Sequence, residues 1–91
     1  MFTFEWDDAK AASNRRKHGV SFDEAVTVFG DADALTFADT DHIDNEDRSR
    51  TYGLSSKGRL LVVVHTERRN NVRIVSARKA TKHEQKIYQA G

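Results

Sequence analysis

Eleven of the fifteen lysines and arginines fall after residue 47. Arg48 and Arg50 stand two apart in a stretch of strand-forming residues, so their side chains share one face of a strand. Arg73 and Arg78 stand five apart and point to opposite faces unless a bulge intervenes. Lys79, Lys82 and Lys86 carry the positive run onward, and Lys57 sits in a predicted turn. Charge that guards a sheet edge accounts for one or two arginines but not for this many. A surface that holds a chain of phosphates accounts for more, because a guanidinium grips phosphate through two parallel hydrogen bonds.

Among the four histidines, His18, His42, His65 and His83, no pair has a metal-binding spacing such as HExxH. His65 differs from the others in closing an apolar strand. It is a candidate general acid or base on a rigid support, and the same position also suits a hydrogen-bonded histidine at the sheet margin. Asp39, Asp41, Asp44, Glu46 and Asp47 crowd one segment. A calcium loop starting at Asp39 would need glycine and glutamate where Asp44 and Arg50 stand, so residues 39–47 read as an exposed loop. Nucleotide-binding and serine-hydrolase motifs are missing, as is cysteine, which excludes disulfides and thiolate metal sites. No metal and no cofactor is expected. Tyr52 and Tyr88 are candidates to stack on bases, with packing the competing role for Tyr52. Trp6, Phe22, Phe29 and Phe37 read as core.

These groups need a scaffold. Phe2 to Trp6 alternates as a half-buried strand does. Asp7 caps a helix that ends near His18, with Gly19 as its C-terminal stop and four cationic residues in its last turn. Ser21 and Glu24 form a capping box, and Phe22, Ala25, Val26 and Phe29 line one face of a second helix. Residues 35–37 suggest a short strand. Residues 48–55, 60–66 and 72–79 predict three strands joined by short turns at 56–58 and 69–71, the asparagines of the second suiting left-handed positions. Short turns make the three an antiparallel meander. Residues 60–64 are apolar at both parities, as in a central strand covered on two sides. Thr81 and Glu84 form a second capping box and open a final helix.

The predicted class is α+β, in a chain of 91 residues read as one domain over 1–91. With 32% charged and 37% hydrophobic residues, it has the composition of a globular protein. No apolar run is long enough to span a membrane and the start is not a signal peptide, so a cytoplasmic protein is expected. The net charge of +1 conceals a split: residues 1–47 balance to −8 and residues 48–91 to +9. Either the basic half meets a polyanion, or the two halves attract each other on folding.

Three segments together resemble the BrnT family of toxins from bacterial type II toxin–antitoxin systems. The first is Phe4-Glu5-Trp6-Asp7 with Lys10, Asn14, Lys17-His18-Gly19-Val20 and Ser21-Phe22. The second is Arg48 through Gly53-Leu54-Ser55, then Gly58 through Thr66. The third is Arg73-Ile74-Val75-Ser76-Ala77-Arg78-Lys79-Ala80-Thr81 with Glu84 and Tyr88. The resemblance implies a RelE-like fold, a small antiparallel sheet with two N-terminal helices and one C-terminal helix. It implies a ribonuclease that arrests translation and a BrnA-like antitoxin of ribbon-helix-helix type, with operator DNA reached only through the complex. It places the active surface on basic residues of the meander, here Arg48, Arg50 and Arg78, with His65 as a contributor. Lys57, Arg73, Lys79 and Lys82 are the further candidates for RNA binding.

RNA brings its own nucleophile, the 2′-hydroxyl. A metal-free enzyme need only orient it, accept its proton, stabilise the phosphorane and protonate the leaving 5′-oxygen. The competing readings are a non-catalytic nucleic-acid- or protein-binding module on the same scaffold, and a structural partner whose basic sheet receives an acidic protein.

Overall fold

The structure, a computed structural model, describes residues 3–39 and 47–91. Most of the acidic segment, including Asp41, His42, Asp44 and Glu46, lies outside the described residues. The elements are β1 (Thr3–Glu5), α1 (Asp8–His18), α2 (Phe22–Thr27), β2 (Leu35–Ala38), β3 (Arg48–Leu54), β4 (Leu60–Arg68), β5 (Asn71–Lys79) and α3 (Lys82–Ala90), with a 3₁₀ turn at Val28–Gly30.

The strands form one sheet in the order β1-β5-β4-β3-β2. The meander β3-β4-β5 is antiparallel and β4 is central, as its two-sided apolar pattern requires. The expected all-antiparallel sheet is corrected by β1, which pairs parallel to β5 through Thr3↔Asn71, Phe4↔Val72 and Glu5↔Arg73. Alternation in a segment marks a strand but leaves its partner open. Here the crossover from β1 to β5 spans α1, α2 and the rest of the sheet, long enough for a parallel neighbour.

Asp7 caps α1 by accepting hydrogen bonds from the Ala9 and Lys10 amides, and Gly19 ends it at φ 69°. Only Asn14 of α1 is buried. Phe22 and Ala25 of α2 join Val20 and Val28 against Leu61, Val63, Val72, Ile74 and Ala77 to form the core, on one side of the sheet. Gly53 lets the 3₁₀ turn lie close on β3: a Cβ there would come within 2.7 Å of Val28 Cγ1. Three local readings are corrected. Arg69, not an asparagine, holds the left-handed position of the β4–β5 turn, at φ 58°. Asp39, read as part of an exposed loop, is buried where its amide donates to the Arg48 carbonyl and draws it against β3. Phe37, read as core, is 39% exposed, because the edge strand β2 turns it toward the side that α1 and α2 leave uncovered.

Candidate functional site

The register sorts the strand residues onto two faces. Ser49, Thr51 and Gly53 align with His65, Val63 and Leu61, on the side packed by α1 and α2. Arg48, Arg50 and Tyr52 align with Thr66, Val64 and Val62 on the other side. Across β5, Val62 faces Arg78 and Val64 faces Ser76, then the pairing slips so that His65 faces Ile74 and Thr66 faces Arg73. Val75 is the extra residue of this bulge. The slip supplies the condition that a five-residue spacing demands, and Arg73 and Arg78 share the face of Arg48 and Arg50. In rows across the sheet, Arg48 and Arg73 flank Thr66, Arg50 lies beside Val64, and Tyr52 and Arg78 flank Val62. Successive rows are about 7 Å apart and neighbouring strands about 5 Å apart.

Three of the four arginines, Arg50, Arg73 and Arg78, stand against acids. Arg78 donates from both terminal nitrogens to the two carboxylate oxygens of Glu84, at 2.7 and 2.9 Å. Glu84 also accepts from the Thr81 amide at 2.9 Å, closing the capping box that starts α3. The Arg78 guanidinium, aided by that amide, pulls the Glu84 carboxyl down to about 2, against the burial that opposes it. Arg73 donates to Glu5 at 2.9 Å, a pairing that the parallel β1 makes possible. Arg50 Nε stands 3.8 Å from Asp39. Fixed in this way, the guanidiniums lose less rotamer freedom when they meet an anion.

His65 lies on the other side of the sheet. It is 4% exposed, packs edge-on against Phe29 with ring centroids 4.9 Å apart, and shares a 2.7 Å hydrogen bond between its Nε2 and the Thr51 hydroxyl. Thr51 in turn shares a 2.8 Å hydrogen bond with Thr36. This chain of contacts ties β4, β3 and β2 together. Burial pushes the imidazole below its ordinary value of 6.5, which favours the neutral ring at pH 7. The arrangement therefore groups Arg48, Arg50, Arg73 and Arg78 and separates them from His65. Lys57 is exposed in the β3–β4 turn, Lys79 aligns with Leu61 and so lies opposite in parity to Arg78, and Lys82 is exposed at the start of α3. None of the three lysines joins the arginine rows.

Several positioning residues escape a pattern-based reading. Asn14 donates to the carbonyls of Val20 (3.0 Å) and Ala77 (2.8 Å) and accepts from the Ala77 amide (3.1 Å). It serves the edge of β5 beyond the point where β1 has ended. Its place after the WDxxK run was the available signal. Glu24 accepts from Arg59 and from Ser55, locking the β3–β4 turn to α2. The Arg59 guanidinium holds the Glu24 carboxyl below the usual range. Tyr88, a candidate base stacker, donates its hydroxyl to Asp31 at 2.6 Å, which raises the phenol to about 12.

The fold and the arginine face define a small α+β protein with α1 and α2 packed on one side of a mixed sheet and, on the other, an arginine face beside α3 whose chemistry suits a polyanion. A family model described as the ribonuclease toxin BrnT of type II toxin–antitoxin systems matches residues 6–84, and the chain belongs to this family. Membership implies RNA as the substrate class and an antitoxin as partner. Among solved structures, the 1.1 Å crystal structure of the Brucella abortus ribonuclease toxin BrnT is similar in fold. It has a TM-score of 0.71 and 20% sequence identity, over 90% of this chain and 100% of that one. No curated protein matches the chain at a significant level. Among the described residues, no helix is long and apolar enough to cross a membrane.

Proposed function

We propose that this chain is a metal-independent endoribonuclease that blocks translation in the cytoplasm, with the scissile phosphate bound on the sheet face of Arg48, Arg50, Arg73 and Arg78. One observation carries the reading: the bulge at Val75 sets four arginines from two strands on a single face. In this mechanism the RNA 2′-hydroxyl attacks the adjacent phosphorus and the bond to the 5′-oxygen breaks, leaving a 2′,3′-cyclic phosphate and a free 5′-hydroxyl. Arg48 and Arg50 stabilise the extra negative charge of the phosphorane, and Arg78, oriented by Glu84, completes the cradle. His65 is buried on the opposite side. Its part is to brace β3 beneath Arg48 and Arg50 through Thr51. A guanidinium stays protonated at neutral pH, so water takes the 2′-hydroxyl proton and supplies one to the departing 5′-oxygen, and catalysis rests mainly on orientation and charge. Lys57, Lys79 and Lys82 lie outside the rows and serve flanking phosphates.

A BrnA-like ribbon-helix-helix antitoxin neutralises the toxin by covering the same face, and operator DNA is met only through that complex. Charge reversal of Arg48, Arg50 or Arg78 to Glu should then weaken antitoxin binding. The ion pairs to Glu5, Asp39 and Glu84 favour a second reading, a non-catalytic module in which the arginines brace the sheet. The deciding experiment incubates the purified chain with RNA in excess EDTA. Cleavage should persist and fall by about 10²–10³ in Arg48→Ala and in Arg50→Ala. Cleavage abolished by EDTA and restored by Mg²⁺ refutes metal independence, and RNA binding without cleavage selects the non-catalytic module.

A further inference from the structure

Beside the arginine rows lies an aromatic pair to which no part of the mechanism above gives a task. Phe37 on the edge strand β2 aligns with Arg50 on β3, and Leu35 aligns with Tyr52, so Phe37 and Tyr52 sit on the arginine side of the sheet. The Tyr52 ring is buried, at 4% exposure, and the Phe37 ring leans on it with centroids 5.2 Å apart and planes inclined by 56°. Phe37 is thus fixed from below by a buried aromatic and open to solvent above, at 39% exposure. Single exposed apolar residues are common on protein surfaces. This one is backed by a buried ring and is the cross-strand neighbour of an arginine whose Nε lies 3.8 Å from Asp39.

We propose that Phe37, seated on Tyr52 beside Arg50, is a stacking platform for an unpaired nucleobase of the RNA whose phosphates the arginines hold. The inference rests on the reading of that face as the RNA site and names the subsite next to it. Charge complementarity selects the occupant: a nucleotide offers an anion and an aromatic ring joined by a sugar, matching a guanidinium and a phenyl ring on adjacent strands. Unpaired bases stack on aromatic side chains without needing a defined sequence. The site therefore favours single-stranded segments over duplex, whose bases are already stacked.

The test uses the whole chain and two probes. One is a mixed-sequence 2′-O-methyl oligoribonucleotide, which lacks the attacking hydroxyl and cannot be cleaved. The other is inorganic polyphosphate, which has charge but no bases. Phe37→Ala should weaken oligonucleotide binding about tenfold, the effect of losing one stacked base, and leave polyphosphate binding unchanged. Phe37→Trp should retain oligonucleotide affinity, and its added fluorescence should be quenched by the oligonucleotide and not by polyphosphate. Equal oligonucleotide affinity for wild type and Phe37→Ala overturns the proposal and leaves the ring to a protein contact. Equal losses on both probes also overturn it, since they report a disturbed surface. A wild-type chain that binds neither probe removes the RNA-site reading itself, and this inference with it.

Discussion

Arg78 lies on the arginine face and is at the same time paired with Glu84 of α3; under the proposed function it carries two duties at once. A strand-end arginine contributes little to a core, so its removal alone is expected to spare the fold. The bidentate pair with Glu84 amends that expectation. Arg78→Ala should abolish toxicity and also loosen α3, with a coupling of about 1 kcal/mol to Glu84 in a double-mutant cycle of urea unfolding, since the guanidinium is partly exposed. Arg78→Lys should restore only part of either, lacking the planar fork. Because the Glu84 carboxyl is lowered from 4.5 to about 2 in the fold, its contribution is complete above pH 4.5 and is lost as the pH falls toward 2. Urea midpoints at pH 7 and pH 3 should therefore differ less in Glu84→Gln than in wild type. His65→Ala should cost about 2–3 kcal/mol of stability, yet change cleavage per folded molecule by less than about tenfold, well short of a typical acid–base contribution. A drop of 10² or more would return His65 to the chemistry. The shared face of Arg48 and Arg50 was legible from a spacing of two. The shared face of Arg73 and Arg78 was not, because it depends on backbone slippage between β4 and β5 that no side-chain pattern records.

The local signals were the most legible of all at the level of elements. Asp7, Ser21 and Thr81 cap their helices, and Gly19 and Gly58 take positive φ. Each of these depends on neighbours within a few residues. What the sequence left open were partnerships over long separations: β1 with β5, Asn14 with Ala77, and Thr51 with His65. Phe37 belongs here too. Its type suggested core, and only the sheet order reveals that α1 and α2 lie on the other side. Element contacts also set the tolerance of β3 to change. Gly53→Ala should cost about 1–3 kcal/mol in thermal or urea denaturation, because the added methyl must displace Val28 or shift the 3₁₀ turn. A neutral result would mean that the turn yields freely and does not set the position of β3.

For the molecule as a whole, the division into an acidic and a basic half allowed a polyanionic partner or mutual attraction, and the ion pairs give the second a concrete form. Glu5–Arg73, Glu24–Arg59 and Asp39–Arg50 each join a residue before position 48 to one after it. Three of the eleven cations of the basic half are thus matched to the acidic half, and two of them, Arg50 and Arg73, belong to the arginine face. If four arginines each engage a phosphate, single-stranded RNA binding should fall with salt along a log–log slope of about −3. Arg48→Ala should reduce the steepness by slightly less than one. A slope near zero would rule out the arginine face as the phosphate-binding surface.

The parallel pairing of β1 with β5 also sets a schedule. The third residue of the chain finds its strand partner at the seventy-first, so β1 has no place to dock until β5 has formed. During synthesis α1, α2 and the β3–β4 hairpin emerge first, while Glu5 waits for Arg73. The arginine face is completed by the final third of the polypeptide. Prematurely terminated products lacking β5 carry neither Arg73 nor Arg78, nor the edge that holds β1. A toxin of the BrnT ribonuclease family thus gains two of the four arginines on its sheet face only when its last strand is made.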